Sequence, residues 1–226
     1  MTTLTMIQKM ATGLGRTFAI FFLTLAFSLP LGVILALLRR SKVGVLRGIT
    51  RTLISILRGT PLMLQLLAVT YGPYYISKFL ESQFGLELGI GVARNKLVPI
   101  IAGFAINYAA YFAEIYRGGI ESMSQGQYEA AEVLGYSRTQ TFMRIILPQV
   151  VKRILPSITN EVITLVKDTS MALTVGYQEM FTIGKTISNS ESSFMPFLIA
   201  GVFYFLFNGI VDFVMTRLER KLNYYR

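Results

Sequence analysis

Apolar residues come in long blocks separated by short, mostly basic connections. Residues 17–38 run 22 positions without a charge, enough to cross a hydrocarbon core of about 30 Å at about 1.5 Å per residue. The block is too long for the apolar region of a cleavable signal, and no small-residue cleavage site follows it. Further blocks fall at 61–80, 97–116, 154–177 and 194–215. The pattern predicts an all-α polytopic membrane protein, a single transmembrane domain over 1–226 with five transmembrane helices.

Between the third and fourth blocks lies a polar connection, 118–149, with its own helical signals. Ser124 and Gln127 have capping-box spacing, predicting a short helix through Tyr128, Ala131 and Leu134 that Gly135 ends in a left-handed turn. Ser137 and Gln140 repeat the device and start a second helix carrying Phe142, Ile145 and Ile146 toward Pro148. Two capped helices in one connection predict a shaped projection. Ala130 and Ala131, flanked by Glu129 and Glu132, leave room for another backbone to approach. The alternative is a surface helix resting on the protein's own face.

Charge placement supplies an orientation. Arg39, Arg40, Lys42, Arg47, Arg51 and Arg58 fill the first connection without an acid, Arg117, Arg138, Arg144, Lys152 and Arg153 the third, and Arg217, Arg220, Lys221 and Arg226 the tail. Together these are 15 of the 22 basic residues, all on one side. Lys and Arg accumulate in cytoplasmic connections, so the N-terminus is expected outside and the C-terminus in the cytoplasm. The net charge of +10 then reflects topology and not nucleic-acid binding. The outward connections, near 81–96 and 177–193, carry mixed charge and glycine, as solvated loops do.

The chain has 53% hydrophobic and 15% charged residues and neither Cys nor His, which excludes disulfides, thiolate or imidazole metal sites, and nucleophiles activated by histidine. The stretch EMFTIGKT, 179–186, superficially resembles a phosphate-binding loop, but Glu179 stands where the first glycine belongs. No nucleotide site is expected in this chain, and Lys185 reads as a loop charge.

Polar residues inside a membrane span mark a cavity or a bundle interior. In the fourth block Ser157, Glu161, Thr164 and Asp168 share one helix face, with Asn160 and Lys167 beside it and Pro156 near its start. In the third block Asn107, Tyr111 and Glu114 repeat the pattern. Glu161 lies about 10 Å past the start of its span at about 1.5 Å per residue. Two readings stay open for it: contact with a cationic substrate group, or pairing with a Ser or Asn of a neighbouring helix. Glu114, beside Arg117, reads as a gate or a structural ion pair. The acids Glu114, Glu161, Asp168 and Asp212 outnumber the single Lys167, which leans toward a basic substrate, though Asp212 has Arg217 near it in sequence.

The run EAAEVLGYSRTQTFMRIILPQ, 129–149, resembles the EAA loop of permease subunits of type I ATP-binding-cassette importers: Glu129, Ala130, Ala131, Gly135, Leu147 and Pro148 match its signature. RGTPLMLQL (58–66), YFAEIYRGGI (111–120) and VKDTSMALTVG (166–176) resemble the polar amino acid uptake branch, in the expected order. The resemblance implies a bacterial or archaeal plasma (inner) membrane subunit that pairs with a second permease subunit, most simply an identical copy. It implies a cytoplasmic ATPase dimer that carries the ATP and Mg, with no cofactor in this chain, and delivery by an extracytoplasmic amino acid binding protein. Glu129, Ala130, Ala131, Leu134 and Gly135 would couple to the ATPase. Arg58, Thr60 and Pro61, with Glu114 and Arg117, would form the inner mouth, and Gln65, Asn107, Tyr111, Ser157, Asn160, Glu161, Thr164 and Asp168 the substrate path. The expected function is ATP-driven import of a polar amino acid, leaning to arginine, lysine or histidine.

Two other classes are consistent with intramembrane carboxylates. An ion-coupled secondary amino acid transporter is one, although no paired internal repeats are visible. A membrane-embedded hydrolase using Glu161 and Asp168 is the other, weakened by their separation of about 10 Å along one helix.

Overall fold

The computed structural model describes residues 1–222, and all their regular structure is helical. In chain order come α1 (Thr3–Ala11), α2 (Leu14–Arg39), α3 (Gly44–Gly59), α4 (Leu62–Phe84), α5 (Leu97–Glu121), α6 (Gln125–Val133) and the short α7 (Arg138–Gln140). A π-helical turn (Thr141–Ile146) leads directly into α8 (Leu147–Asp168), a 3-10 segment (Thr169–Val175) follows, and α9 (Met180–Glu191) and α10 (Met195–Leu222) complete the order. Arg226 of the basic tail lies outside the described residues.

Among the described residues, Thr3–Arg39, Leu97–Glu121 and Met195–Leu222 are long and apolar enough to cross a membrane. The pair α3 and α4, bent by 111°, makes a fourth if taken as one span. α8 has the length, at 22 residues, but its polar row dilutes the apolarity that marks the others. The ammonium of Met1 pairs with Glu191 at 2.6 Å, next to the start of the 28-residue α10. The N-terminus and the described end of α10 therefore lie at opposite ends of the bundle.

The centre of the bundle is the α2–α5 pair. Thr24, Ser28, Gly32 and Ala36 recur every four residues on α2 and are all buried. Such a small-residue row lets two helices approach closely where lipid supplies no hydrophobic drive between them. A Cβ on Gly32 would stand 2.8 Å from Cβ of Phe112 and 3.2 Å from the Ala109 carbonyl oxygen, both on α5. α5 answers with Ala105, Ala109, Ala110 and Ala113, all buried. α4 packs on the same helix, where Gly103 accommodates Leu66. Around this pair Ile20, Phe21, Phe104, Tyr108, Phe112, Val162 and Leu165 form the main core.

Two segments read as connections are helices. The first basic connection folds into α3, whose Ile54 is buried against Leu35, Ala36 and the alanines of α5. Its apolar residues are spread at helical spacing among arginines, so no uncharged block announces it. The outer stretch 177–193 contains α9, which buries Met180, Ile187 and Gly184 against α1 and α10. Lys185 is exposed on that helix, not in a loop. Gly13, at the α1–α2 corner, leaves no room for a side chain either: a Cβ there would lie 2.6 Å from the backbone nitrogen of Met180.

Candidate functional site

α8 buries Val162, Leu165 and Val166 and turns Ser157, Asn160 and Thr164 outward, all three exposed on the protomer, with Glu161 half-buried between them. The Thr164 hydroxyl donates back to the Asn160 carbonyl at 2.8 Å. The Glu161 carboxylate has no hydrogen bond or ion pair among the described residues; Arg58 is near enough to act on it electrostatically. Asp168, one turn beyond Thr164, accepts a hydrogen bond from the Tyr108 hydroxyl at 2.7 Å, which ties α8 to α5. Pro156 sits inside α8 without breaking it.

Two residues expected on the path have their polar atoms engaged elsewhere. The Asn107 amide donates to the Leu57 carbonyl at 3.1 Å and to Gln65 Oε1 at 3.0 Å. Gln65 Nε2 donates in turn to the Leu57 carbonyl, the Thr60 carbonyl and the Thr60 hydroxyl at 2.8, 3.1 and 2.9 Å. These bonds satisfy carbonyls that α3 leaves open where it stops at Gly59, the demand every helix C-terminus makes. Thr60 and Pro61 form the corner itself, with extended backbone at both residues, and α4 starts at Leu62.

Below this corner three arginines converge on one carboxylate. Glu114 of α5 binds Arg39 from the end of α2, Arg117 at 2.8 Å one turn along its own helix, and Arg58 of α3 at 3.8 Å. Arg117 also binds Glu121, and the Arg58 guanidinium lies 5.3 Å from the centre of the Tyr111 ring. The Glu114 side chain is 13% exposed, and a carboxylate that shielded holds more than a surface ion pair does. The cluster fastens the ends of α2, α3 and α5 to one another. A groove beside it is lined by Glu114, Ile115, Gly118, Gly119, Arg153 and Ser157, so the polar row of α8 opens onto the same end.

The connection after α5 is a rigid projection. Ser137 and Gln140 form the predicted capping box, the Ser137 amide donating to Gln140 Oε1 at 2.9 Å and the Gln140 amide to Ser137 Oγ at 3.3 Å. Gly135 is left-handed at φ 78°. The Tyr136 amide donates to the Ala131 carbonyl and the Gly135 amide to that of Glu132, the two bonds of a Schellman stop. The other predicted box does not form: Ser124 stands at the N-cap of α6 without a side-chain bond. Gln127 reaches instead to Gln149 of α8, the two amides bonding reciprocally at 2.8 and 2.9 Å. Tertiary pairing outcompetes the local cap.

Ala131 is buried, at 1% exposed, and Tyr128 of the same helix packs on the cluster of Ile146, Val150 and Ile154, whereas Glu129, Ala130 and Glu132 face outward. Val133 and Leu134 are 88% and 73% exposed. α6 thus presents an apolar tip, flanked by two carboxylates, on a base locked to α8. The second helix runs on through Pro148; α7, the π-helical turn and α8 are continuous, so the second helix of the connection and the polar row share one rod, with α6 a separate helix ahead of it.

Glu179 was read only as a defect in a phosphate loop. It is fully buried and caps α9, accepting from the Phe181 and Thr182 amides at 2.8 and 2.7 Å and from the hydroxyls of Thr182, Thr17 and Tyr204. No cation pairs with it among the described residues. It joins α2, α9 and α10 at the end of the bundle opposite Glu114. Its N-cap position ahead of an amphipathic stretch was the available signal. Asp212 and Arg217 do not pair; the Arg217 guanidinium lies 4.7 Å from the Phe213 ring centre.

A bundle of apolar helices with one polar face left open, and a capped helix projecting at one end, is the architecture of a multi-pass membrane protein. Residues 28–224 match the family described as the binding-protein-dependent transport system inner membrane component, and the chain belongs to that family. It is 38% identical over 201 residues to the octopine transport system permease protein OccM of Rhizobium radiobacter, covering 87% of this chain and 80% of OccM. It is 34% identical over 210 residues to the L-cystine transport system permease protein TcyL of Bacillus subtilis, covering 91% and 84%. The fold is similar to that in the crystal structure of an amino acid ABC transporter with histidines, with TM-score 0.81, 28% identity, and coverage of 98% of this chain and 99% of that one.

The chain is an amino acid ABC transporter permease of the inner membrane, not an enzyme, and ATP hydrolysis resides in a partner ATPase. The family implies ATPase and binding-protein partners. The comparisons do not favour the ion-coupled alternative.

Proposed function

We propose that this permease pairs with a second copy of itself and that the facing α8 rows line the route of a polar amino acid, with basic amino acids preferred. The observation that carries the reading is the row Ser157, Asn160, Glu161 and Thr164: polar, uncovered on the protomer, and holding a carboxylate without a hydrogen-bond partner. A polar face of this kind is costly against lipid, and a second copy removes it from lipid while enclosing a cavity. A cationic substrate group supplies the charge that Glu161 lacks. Tyr111 and Asp168 border the route. Asn107 and Gln65 shape it by holding the α3–α4 corner, and Glu114 with Arg39, Arg58 and Arg117 holds its inner end closed between transport events.

In this reading five spans are made by α2, α4, α5, α8 and α10, with the N-terminus outside and the C-terminus cytoplasmic. α6 is the element that docks on a cytoplasmic ATPase dimer, which binds the ATP and Mg. Octopine and L-cystine appear in the names of two relatives, so family membership leaves the substrate open. ATP-driven uptake into vesicles, with the ATPase and binding protein supplied and arginine, glutamine and glutamate compared at equal concentration, tests it. Preference for arginine supports Glu161 as the selecting group; preference for glutamine or glutamate overturns the basic preference and leaves the carboxylate a structural or gating role.

A further inference from the structure

α3 is a 16-residue helix bent by 111° from the helix that follows it, and the rest of the protomer covers little of it. Thr50 and Ile54 are buried and Leu57 half-buried; the other side chains are exposed. Val45, Ile49, Leu53 and Ile56, at spacings of four, four and three, are 73%, 62%, 41% and 54% exposed. At about 100° per residue this row lies opposite Arg47, Arg51 and Arg58, with the buried residues between the two. A helix with an apolar face and an opposing basic face lies in the plane of a membrane surface.

We propose that α3 is seated on anionic phospholipid, its apolar row among the acyl chains and Arg47 and Arg51 against the headgroup phosphates, and that this seat sets the position of the inner mouth. Charge decides the occupant. No Asp or Glu precedes Glu81 in the chain, and neither Arg47 nor Arg51 has an ion pair among the described residues, so their charge is left for an anionic leaflet to complement. The mechanical link is also present. Arg58 contacts Glu114 and Tyr111, and Asn107 and Gln65 both hold the Leu57 carbonyl. A shift of α3 is therefore transmitted to the cluster that binds α2 to α5. The proposal rests on the permease being membrane-embedded and does not depend on which amino acid it carries.

The test uses the complete transporter in vesicles of phosphatidylcholine alone or with phosphatidylglycerol. Because the chain has no cysteine, an Ile49→Cys variant labelled with a fluorophore before assembly reports where the apolar row sits, without any transport. Nitroxide on lipid acyl chains is expected to quench the probe and aqueous iodide to leave it bright. Quenching by iodide, or an Ile49→Cys disulfide between copies, overturns the seating. ATP-driven uptake is expected to rise at least about fivefold with phosphatidylglycerol, one arginine's share of attraction to an anionic surface. The Arg47→Gln/Arg51→Gln pair is expected to lose that gain while keeping the phosphatidylcholine rate. An undiminished gain in that pair overturns the role of the arginines.

Discussion

Glu161 and Glu179 sit in different surroundings, one half-buried on an open face and one fully buried, and their substitutions are expected to diverge. Glu161→Gln removes a charge that has no hydrogen bond or ion pair among the described residues. It should raise the KM for arginine uptake about tenfold or more, the worth of a charge-assisted hydrogen bond, while the ATPase still co-purifies. Unchanged affinity would remove Glu161 from the route. Glu179→Gln instead turns an amide NH2 toward donors that require an acceptor, at about 1–3 kcal/mol for the unsatisfied groups. It should lower the melting temperature in detergent and leave the KM alone. Both residues were visible in the sequence, but only Glu161 stood out, because a charge inside an apolar block contrasts with its neighbours. Glu179 sits among polar residues, and its burial comes from Thr17 and Tyr204, each more than twenty positions away.

At the scale of single helices, α6 and its stop are where an importer should fail selectively. Gly135→Val places a β-branched residue at φ 78°, costing roughly 1–2 kcal/mol or more for a left-handed L-residue. It should release the ATPase on purification while the permease still reaches the membrane. Glu129→Lys should do the same by reversing charge beside the apolar tip. An ATPase retained by both variants would show that α6 is not the docking element. Gly13→Ala tests the other end: its Cβ meets backbone atoms that cannot rotate away, so about 1–3 kcal/mol of overpacking should separate α1 from α9 and lower thermal stability without affecting ATPase docking. The Ser137–Gln140 cap and the Gly135 stop were legible because both act within a few residues. Gln127 was misread as a cap because its partner, Gln149, lies 22 positions along the chain.

At the scale of the whole molecule, the uncovered face of α8 predicts its own partner. An Asn160→Cys variant, in a chain otherwise free of cysteine, should form an oxidised dimer or react with a water-soluble thiol reagent added to the assembled transporter. Failure of both would place the row against lipid and contradict the enclosed route. The same scale explains why the helix count was hard to read. The block at 154–177 reads as a span despite its polar row, whereas α3 is amphipathic enough to hide among basic residues while bending 111° into α4.

The sequence by itself determined the membrane class, the helical composition, the capped projection with its glycine stop, and the absence of any cysteine or histidine chemistry. Those depend on local quantities: apolar length, residue type, and spacing within one or two turns. Only the tertiary structure decided that Asn107 and Gln65 hold a helix corner, that three arginines from three helices share Glu114, that Glu179 is buried, and that the polar row of α8 remains uncovered. Each of these depends on which distant segments meet, and in a bundle that is set by close approach along rows of small residues such as Thr24, Ser28, Gly32 and Ala36, whose partner helix the row itself does not name.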